Sequence, residues 1–411
     1  MQYQFMLMFP GVGSHHTGMG KTFYDHFPTV RDLFVEASDI LHCDMYKLCF
    51  SAESAGELEQ LKNSQVALLC VSVATYKVLV EETGLEQAVY LGYSLGEYSA
   101  LCCAGALSLQ DALQLVRERG VIVTETVAAI EGSMIWVVNL QSEKVEQICQ
   151  ELRQEKEDIF ISAYDSPVKT SLSGTQSALR RAGEKVVEAG GIPIPIKMSG
   201  PFHSPLMHAA ADRFRPLLKQ CTYNMPKFPV ISNFTASPYG QVEAIAENLT
   251  LQLINPIHWQ KSLELTFNYG VNTSIEVGPK DVLTYVLKEN RKMRGYTLAT
   301  KQSLIDFQSE IKTMRSELAK FLAKALAILS GTRNYNEDLQ EYEEQVFSRT
   351  KKIQAIYEQV QAGKLFPDAG LCQKVIAILT EALHAKKLPE SEVATHIKKL
   401  LDMSCARTPG G

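Results

Sequence analysis

Residues 88–103 read AVYLGYSLGEYSALCC, and this stretch decides the fold. The run 88–92 is apolar and closes on a glycine, as a strand does when both faces are covered. The run 96–103 is rich in small and apolar residues and free of proline, which suits a closely packed helix. Between them stands Gly92-Tyr93-Ser94-Leu95-Gly96, a Gly-x-Ser-x-Gly pentapeptide in the strand–turn–helix setting of a nucleophile elbow. Its glycines let the chain turn sharply and the helix lie close to the strand, which lifts the Ser94 hydroxyl into a cleft. The first N–H groups of the helix face the same point and can stabilise an oxyanion. A tight turn in which Ser94 only caps the helix would use the same residues. The strand before and the helix after favour the nucleophile.

Working outward, apolar runs at 5–9, 229–232 and 273–277 predict further strands, and amphipathic patterns at 64–82, 109–123 and 205–220 predict helices. This alternation argues for a parallel sheet covered by helices. Residues 129–198 have a rhythm of their own. MIWVVNL reads as a strand, SEKVEQICQELRQ as a helix with Ser142 at its N-cap, and IFISAYDSP and KTSLSG as two strands. TQSALRRAGEKVVEAGG reads as a helix closed by Gly190 and Gly191, and IPIPIKMSG as a last strand. The order βαββαβ is ferredoxin-like. The expected architecture is therefore an α/β core of residues 1–128 and 199–303, an inserted ferredoxin-like subdomain at 129–198, and an α-helical extension at 304–411. In the extension Ile311, Met314, Leu318, Phe321, Leu322, Ala325 and Leu329 form an apolar stripe at helical spacing, expected to pack it on the catalytic body.

The 411 residues are 45% apolar and 21% charged, with a net charge of −5, an ordinary globular composition. No clustered basic face points to nucleic acid, and no run is apolar for long enough to span a bilayer as a helix. Nine cysteines without a Cys-x-x-Cys pair fit reduced thiols in the cytoplasm and make a zinc site an unattractive reading.

A nucleophilic serine needs a base. Of the nine histidines, His203 lies in Ser199-Gly200-Pro201-Phe202-His203-Ser204-Pro205, a loop between a strand and a helix from which it could reach Ser94. His15 and His16, after a glycine turn, are the rivals. His208 reads as a surface or packing residue.

Seven motifs in order now bring a resemblance: Phe9-Pro10-Gly11-Val12-Gly13-Ser14, Gly18-Met19-Gly20, Gly92 through Ala100, Val116-Arg117-Glu118-Arg119-Gly120, Gly200-Pro201-Phe202-His203-Ser204, Asn255-Pro256 and Glu276-Val277-Gly278-Pro279. Over residues 4–300 the chain resembles the malonyl-CoA:acyl carrier protein transacylases and the acyltransferase domains of polyketide synthases. The resemblance implies a hydrolase-like core with a ferredoxin-like subdomain. It implies Ser94 as the acylated nucleophile, His203 as base and acid, and the main-chain carbonyl of Gln252 holding the histidine. It also implies an oxyanion hole from the N–H groups of Leu95 and Val12, and Arg119 gripping the free carboxylate of malonate. A planar guanidinium suits that task, although Arg119 alone could equally be a solvated helix charge like Arg117. Phe202 matches the malonyl-using members.

The chain departs from the family in several places. Val12 replaces a glutamine, and Tyr93 replaces a histidine. Asp165 and Lys169 stand near the Asn and Gln that line the acyl pocket, where they could pair with each other or contact an unusual substrate. The extension is absent from the short housekeeping enzymes. The expected activity is transfer of malonyl from malonyl-CoA to a phosphopantetheinylated acyl carrier protein, with no bound cofactor or metal, by a cytoplasmic monomer serving polyketide-type synthesis. Three readings stay open beside it: transfer of a substituted malonyl unit, an editing thioester hydrolase, and a non-enzymatic carrier-protein docking module.

Overall fold

Strand β1 (Phe5–Phe9) is the sequence FMLMF with every residue buried, a run that only a central parallel strand accommodates. On one side it pairs in parallel with β2 (Val89–Gly92), on the other with β8 (Thr273–Glu276). The short β7 (Val230–Ile231) lies beyond β2 and β9 (Arg294–Thr297) beyond β8, giving the parallel order β7-β2-β1-β8-β9. The sequence gives no apolar signal for β9, whose residues RGYT are exposed or half-buried at the sheet edge.

The second sheet holds β3 (Gly132–Val138), β4 (Ile159–Ser166), β5 (Lys169–Thr175) and β6 (Ile192–Pro195) in the antiparallel order β4-β5-β3-β6. Each helix-connected strand pair leaves room for one strand between its members, which is the split βαβ arrangement of a ferredoxin-like unit. The helices Ser142–Gln154 and Gln176–Glu188 bury Val145, Ile148, Leu152, Leu179, Ala182 and Val186 against it. Ser142 is the first helical residue rather than the cap. Its hydroxyl turns inward to Thr170 Oγ1 at 3.2 Å, and Gln141 takes the cap position. Strand β4 is tied to the core by Tyr164 N–H to Ile257 O and Ile257 N–H to Ser162 O, both 2.9 Å.

The structure, a computed structural model, describes residues 4–196, 200–291, 293–363, 365–366 and 369–403. The end of the expected strand IPIPIKMSG, at 197–199, lies outside them. The chain divides into two compact units, Tyr3–Glu81 with Leu85–Leu304, and Glu82–Gly84 with Ile305–Gly411. In the second unit the stripe residues Leu318, Phe321, Leu322, Ala325 and Leu329 enter a core with Ile353, Leu379, Leu383 and Leu400. These stripe positions are thus covered by the helices Ser348–Gln361, Ala369–Ala385 and Glu390–Leu401 of the extension itself. The buried ammonium of Lys386 donates to the carbonyls of Leu329 and Thr332, capping the end of the long helix Lys301–Gly331.

Three glycines set the approach distances around the elbow. A Cβ on Gly92 would lie 2.0 Å from the carbonyl carbon of Gly96, and one on Gly96 would lie 2.0 Å from the carbonyl oxygen of Phe9. A Cβ on Gly120 would lie 2.4 Å from Lys62 Cα. Gly92→Ala is expected to destabilise the protein by about 3 kcal/mol or more, because the atoms it meets are backbone and cannot rotate away. Gly56→Ala, where the added carbon meets nothing within 4 Å, is the control and should leave the thermal midpoint nearly unchanged. Equal melting of the two variants would show that the strand–helix approach is looser than described.

Candidate active site

Ser94 follows β2 with φ +52°, in the left-handed region that a non-glycine residue rarely occupies. Four hydrogen bonds hold it there. Its N–H donates to Asn233 Oδ1 at 2.7 Å, and its carbonyl accepts from Gln252 Nε2 at 3.0 Å and from Glu97 N–H at 3.1 Å. Asn233 Nδ2 also donates to Gly92 O at 2.6 Å, bridging the two sides of the turn. Strain is kept because the surroundings over-determine it. The helix Gly96–Cys103 begins directly after.

The hydroxyl of Ser94 lies 2.8 Å from His203 Nε2. His203 Nδ1 lies 2.7 Å from the main-chain carbonyl of Gln252. A carbonyl can only accept, so Nδ1 carries the proton and Nε2 presents a lone pair to the serine. His203 is buried. Burial first, and the positive charge of Arg119 second, pull its pKa down to about 4, against the opposing pull of the Gln252 carbonyl. It is therefore neutral at ordinary pH and ready to accept a proton. The loop carrying it has φ +56° at His203 itself, and Ser173 of β5 donates to the Phe202 carbonyl. The ferredoxin-like unit thus helps to place the imidazole.

Arg119 sits on the helix Leu109–Ala128, brought close to the helix Leu61–Thr83 by the Gly120–Lys62 contact. Only 6% of it is exposed. Nη1 donates to Gln65 Oε1 at 2.9 Å and Nη2 to Ser94 Oγ at 3.3 Å, while the guanidinium lies over the Tyr98 ring. No carboxylate reaches it within ion-pair distance among the described residues, and its Nε–H has no acceptor. Burial lowers its pKa from the ordinary value, but a guanidinium keeps its proton. A buried cation without a counter-ion is costly unless a ligand supplies one.

These groups line a small cleft of about 50 Å³ with Val12, Leu61, Gln65, Val123, Phe202, Met207 and Leu253. Val12 reaches it on the loop after β1. That loop is seated by Gly278, whose missing side chain leaves room for the Pro10 ring, and by Lys280, which donates to the carbonyls of Gly13 and His15. No acceptor among the described residues engages the N–H groups of Leu95 and Val12.

Other expected residues lie elsewhere. Tyr93, Asp165 and Lys169 do not line the cleft. Asp165 is buried and accepts from Tyr93 OH at 2.7 Å and from Ser171 Oγ at 2.9 Å, while Lys169 lies over the Trp136 ring. Asp165 stands at the end of β4 and Lys169 opens β5, and each takes a partner other than its neighbour across the turn. His15 faces Glu59, and His16 and His208 are exposed. Gln65, Asn233 and Glu97 were not among the expected site residues. Their types carry no local signal, although Gln65 is a polar residue in an otherwise apolar helical run.

Comparison with known proteins agrees with this geometry. Residues 6–327 match the acyl transferase domain family. A Bacillus subtilis protein described as malonyl CoA-acyl carrier protein transacylase is 31% identical over 393 residues, covering 94% of this chain and 97% of its own. An alignment of that length reaches into the helical extension, which therefore has a counterpart there. An Escherichia coli (strain K12) protein of the same description is 36% identical over 286 residues, 69% of this chain and 92% of its own. Among solved structures, an acyl carrier protein S-malonyltransferase from Vibrio cholerae O1 superposes with a TM-score of 0.71 at 34% identity, covering 74% of this chain and 99% of its own. A malonyl-transacylase in complex with a type II PKS acyl-carrier protein gives a TM-score of 0.71 at 33% identity, covering 75% and 99%. With the serine elbow, the histidine and the arginine gathered in one cleft, these likenesses make the chain a member of the acyl transferase family, on its malonyl CoA-acyl carrier protein transacylase branch.

Proposed function

We propose that the chain transfers a malonyl group from malonyl-CoA to the phosphopantetheine thiol of an acyl carrier protein through an ester on Ser94. The observation that carries this is the unpaired Arg119 guanidinium beside the Ser94–His203 pair. It offers the counter-charge for a substrate carboxylate within reach of the reacting hydroxyl. His203 Nε2 takes the Ser94 proton as Oγ attacks the thioester carbonyl. The N–H groups of Leu95 and Val12 receive the oxyanion. The carbon–sulfur bond breaks, and coenzyme A leaves with the proton from His203. The carrier-protein thiol then gives its proton to His203 and attacks the ester, and Ser94 recovers its hydrogen. These are proton transfers and acyl exchanges on side chains, with coenzyme A entering as a thioester.

Among the described residues no helix is long and apolar enough to cross a membrane. A cytoplasmic site of action fits the unpaired state of the described cysteines, and a monomer is the working assembly. Polyketide-type synthesis fits the helical extension and the likeness to a transacylase solved with a polyketide carrier protein. The test is intact mass after mixing with malonyl-CoA, followed by addition of a phosphopantetheinylated carrier protein. The mass of malonyl should appear on the chain and then move to the carrier. Release as free malonate at the same rate without carrier would make the chain a hydrolase.

The pH dependence follows from His203. The reaction needs its neutral form, and a pKa lowered to about 4 keeps that form present far below the usual histidine range. Ser94 acylation is expected to be level from about pH 6 to 8 and to decline only on further acidification. A rate that rises through a midpoint near 6.5 would show that His203 titrates like an exposed histidine.

A further inference from the structure

Glu97, the first residue after the elbow, is fully buried, yet no step above uses it. Its carboxylate is held by three donors. Oε2 accepts from Gln252 Nε2 at 2.6 Å and from Asn233 N–H at 3.2 Å, and Oε1 accepts from Tyr239 OH at 2.6 Å. Two of those three partners hold the reacting pair. Gln252 carries the carbonyl behind His203 and donates to the Ser94 carbonyl, while Asn233 holds the Ser94 N–H and the Gly92 carbonyl.

We infer that Glu97 is a positioning residue for acyl transfer, its buried carboxylate clamping Gln252 and Asn233 so that Ser94 and His203 stay within hydrogen-bond reach of each other. The inference rests on the acyltransfer reading. Glu97 lies 136, 142 and 155 residues from Asn233, Tyr239 and Gln252 along the chain, and it is the acceptor that the three share. With acceptors at Glu97 Oε2 and Ser94 O, the Gln252 amide has one orientation, because the reverse would set its oxygen against the carboxylate. Fixing that amide fixes the residue whose carbonyl sets the tilt of the imidazole. Burial pushes the Glu97 carboxyl up to about 7. Tyr239, Tyr98 and Arg119 are the titratable groups around it. A proton on Oε1, facing Tyr239, leaves Oε2 free to accept, so the clamp works in either state. For the same reason a glutamine can stand in for the acid.

The test is the single-turnover rate of Ser94 acylation at saturating malonyl-CoA, per acylatable site, together with the half-saturating concentration. Glu97→Ala is expected to slow acylation by about 100-fold, the scale of a ~1 Å misplacement of a reacting group. The half-saturating concentration should change by less than about threefold. Glu97→Gln should recover most of the rate. Gln252→Met, which keeps the main-chain carbonyl and removes the side-chain donor, should slow acylation similarly, and the double variant should be no slower than the worse single one. Wild-type acylation per site in Glu97→Ala or in Gln252→Met would overturn the inference, as would losses that multiply in the double variant. If Glu97→Ala does not fold, Gln252→Met decides alone by the same criterion. A wild-type protein that takes up no malonyl would sink the acyltransfer reading itself, an outcome distinct from variants that match an active wild type.

Discussion

Replacing Ser94 with alanine is expected to abolish the malonyl adduct and leave the chain folded. The hydroxyl is the group that His203 Nε2 faces at 2.8 Å, and no other hydroxyl or thiol among the described residues lines the cleft. Loss of a nucleophile from such a pair lowers turnover by on the order of 10⁴- to 10⁶-fold. The fold should survive because the strained backbone at Ser94 is held by main-chain hydrogen bonds to Asn233 and Gln252, which alanine keeps. Its thermal stability should stay within about 1 kcal/mol of the wild type. Intact-protein mass after mixing with malonyl-CoA reads the result directly. An adduct that persists on the alanine variant would place the ester on another residue.

The second large effect is a change of substrate. Arg119→Ala should reduce malonyl transfer by about tenfold to a hundredfold, since a charge-assisted pair with the malonyl carboxylate stabilises the complex by about 1.5–3 kcal/mol. Acetyl-CoA has no carboxylate, and binding it leaves the buried guanidinium without a partner. Acetyl transfer should therefore hold or improve in the variant. The ratio of the two kcat/KM values is the decisive quantity, because it cancels any general damage to the Ser94–His203 pair. Arg119→Lys should recover little, as an ammonium cannot reproduce the planar fork that also holds Gln65. A parallel fall of malonyl and acetyl rates would make Arg119 a structural residue.

The two arginines of Val116-Arg117-Glu118-Arg119-Gly120 show where reading the sequence stops. Two residues apart on a helix, they are turned about 200° from each other, so at most one of them faces inward. Nothing local says which. The contact of Gly120 with Lys62 turns Arg119 into the cleft and leaves Arg117 half-buried beside Cys43. Asp165 and Lys169 show the same limit at another place. Their place in the family pattern suggested the acyl pocket, but Tyr93, itself a departure, claims the acid with a hydrogen bond. The unusual residue before Ser94 is thus the partner of the unusual acid.

What the sequence determined by itself is the part governed by local periodicity and turn chemistry. The buried strand 88–92, the glycine-flanked serine and the βαββαβ rhythm of 129–198 each follow from residues near one another in the chain. The tertiary structure decided which distant side chains converge. His203 comes to Ser94 across 109 residues, Asn233 across 139 and Gln252 across 158. Loop closure and helix packing set those encounters, and no spacing within the sequence carries them. Glu97 belongs with these. In the sequence it is one acid at the start of a helix, where it would favour the dipole from the surface. Only the burial of that helix against β1 and β2 turns its carboxylate into the acceptor that Gln252, Asn233 and Tyr239 share.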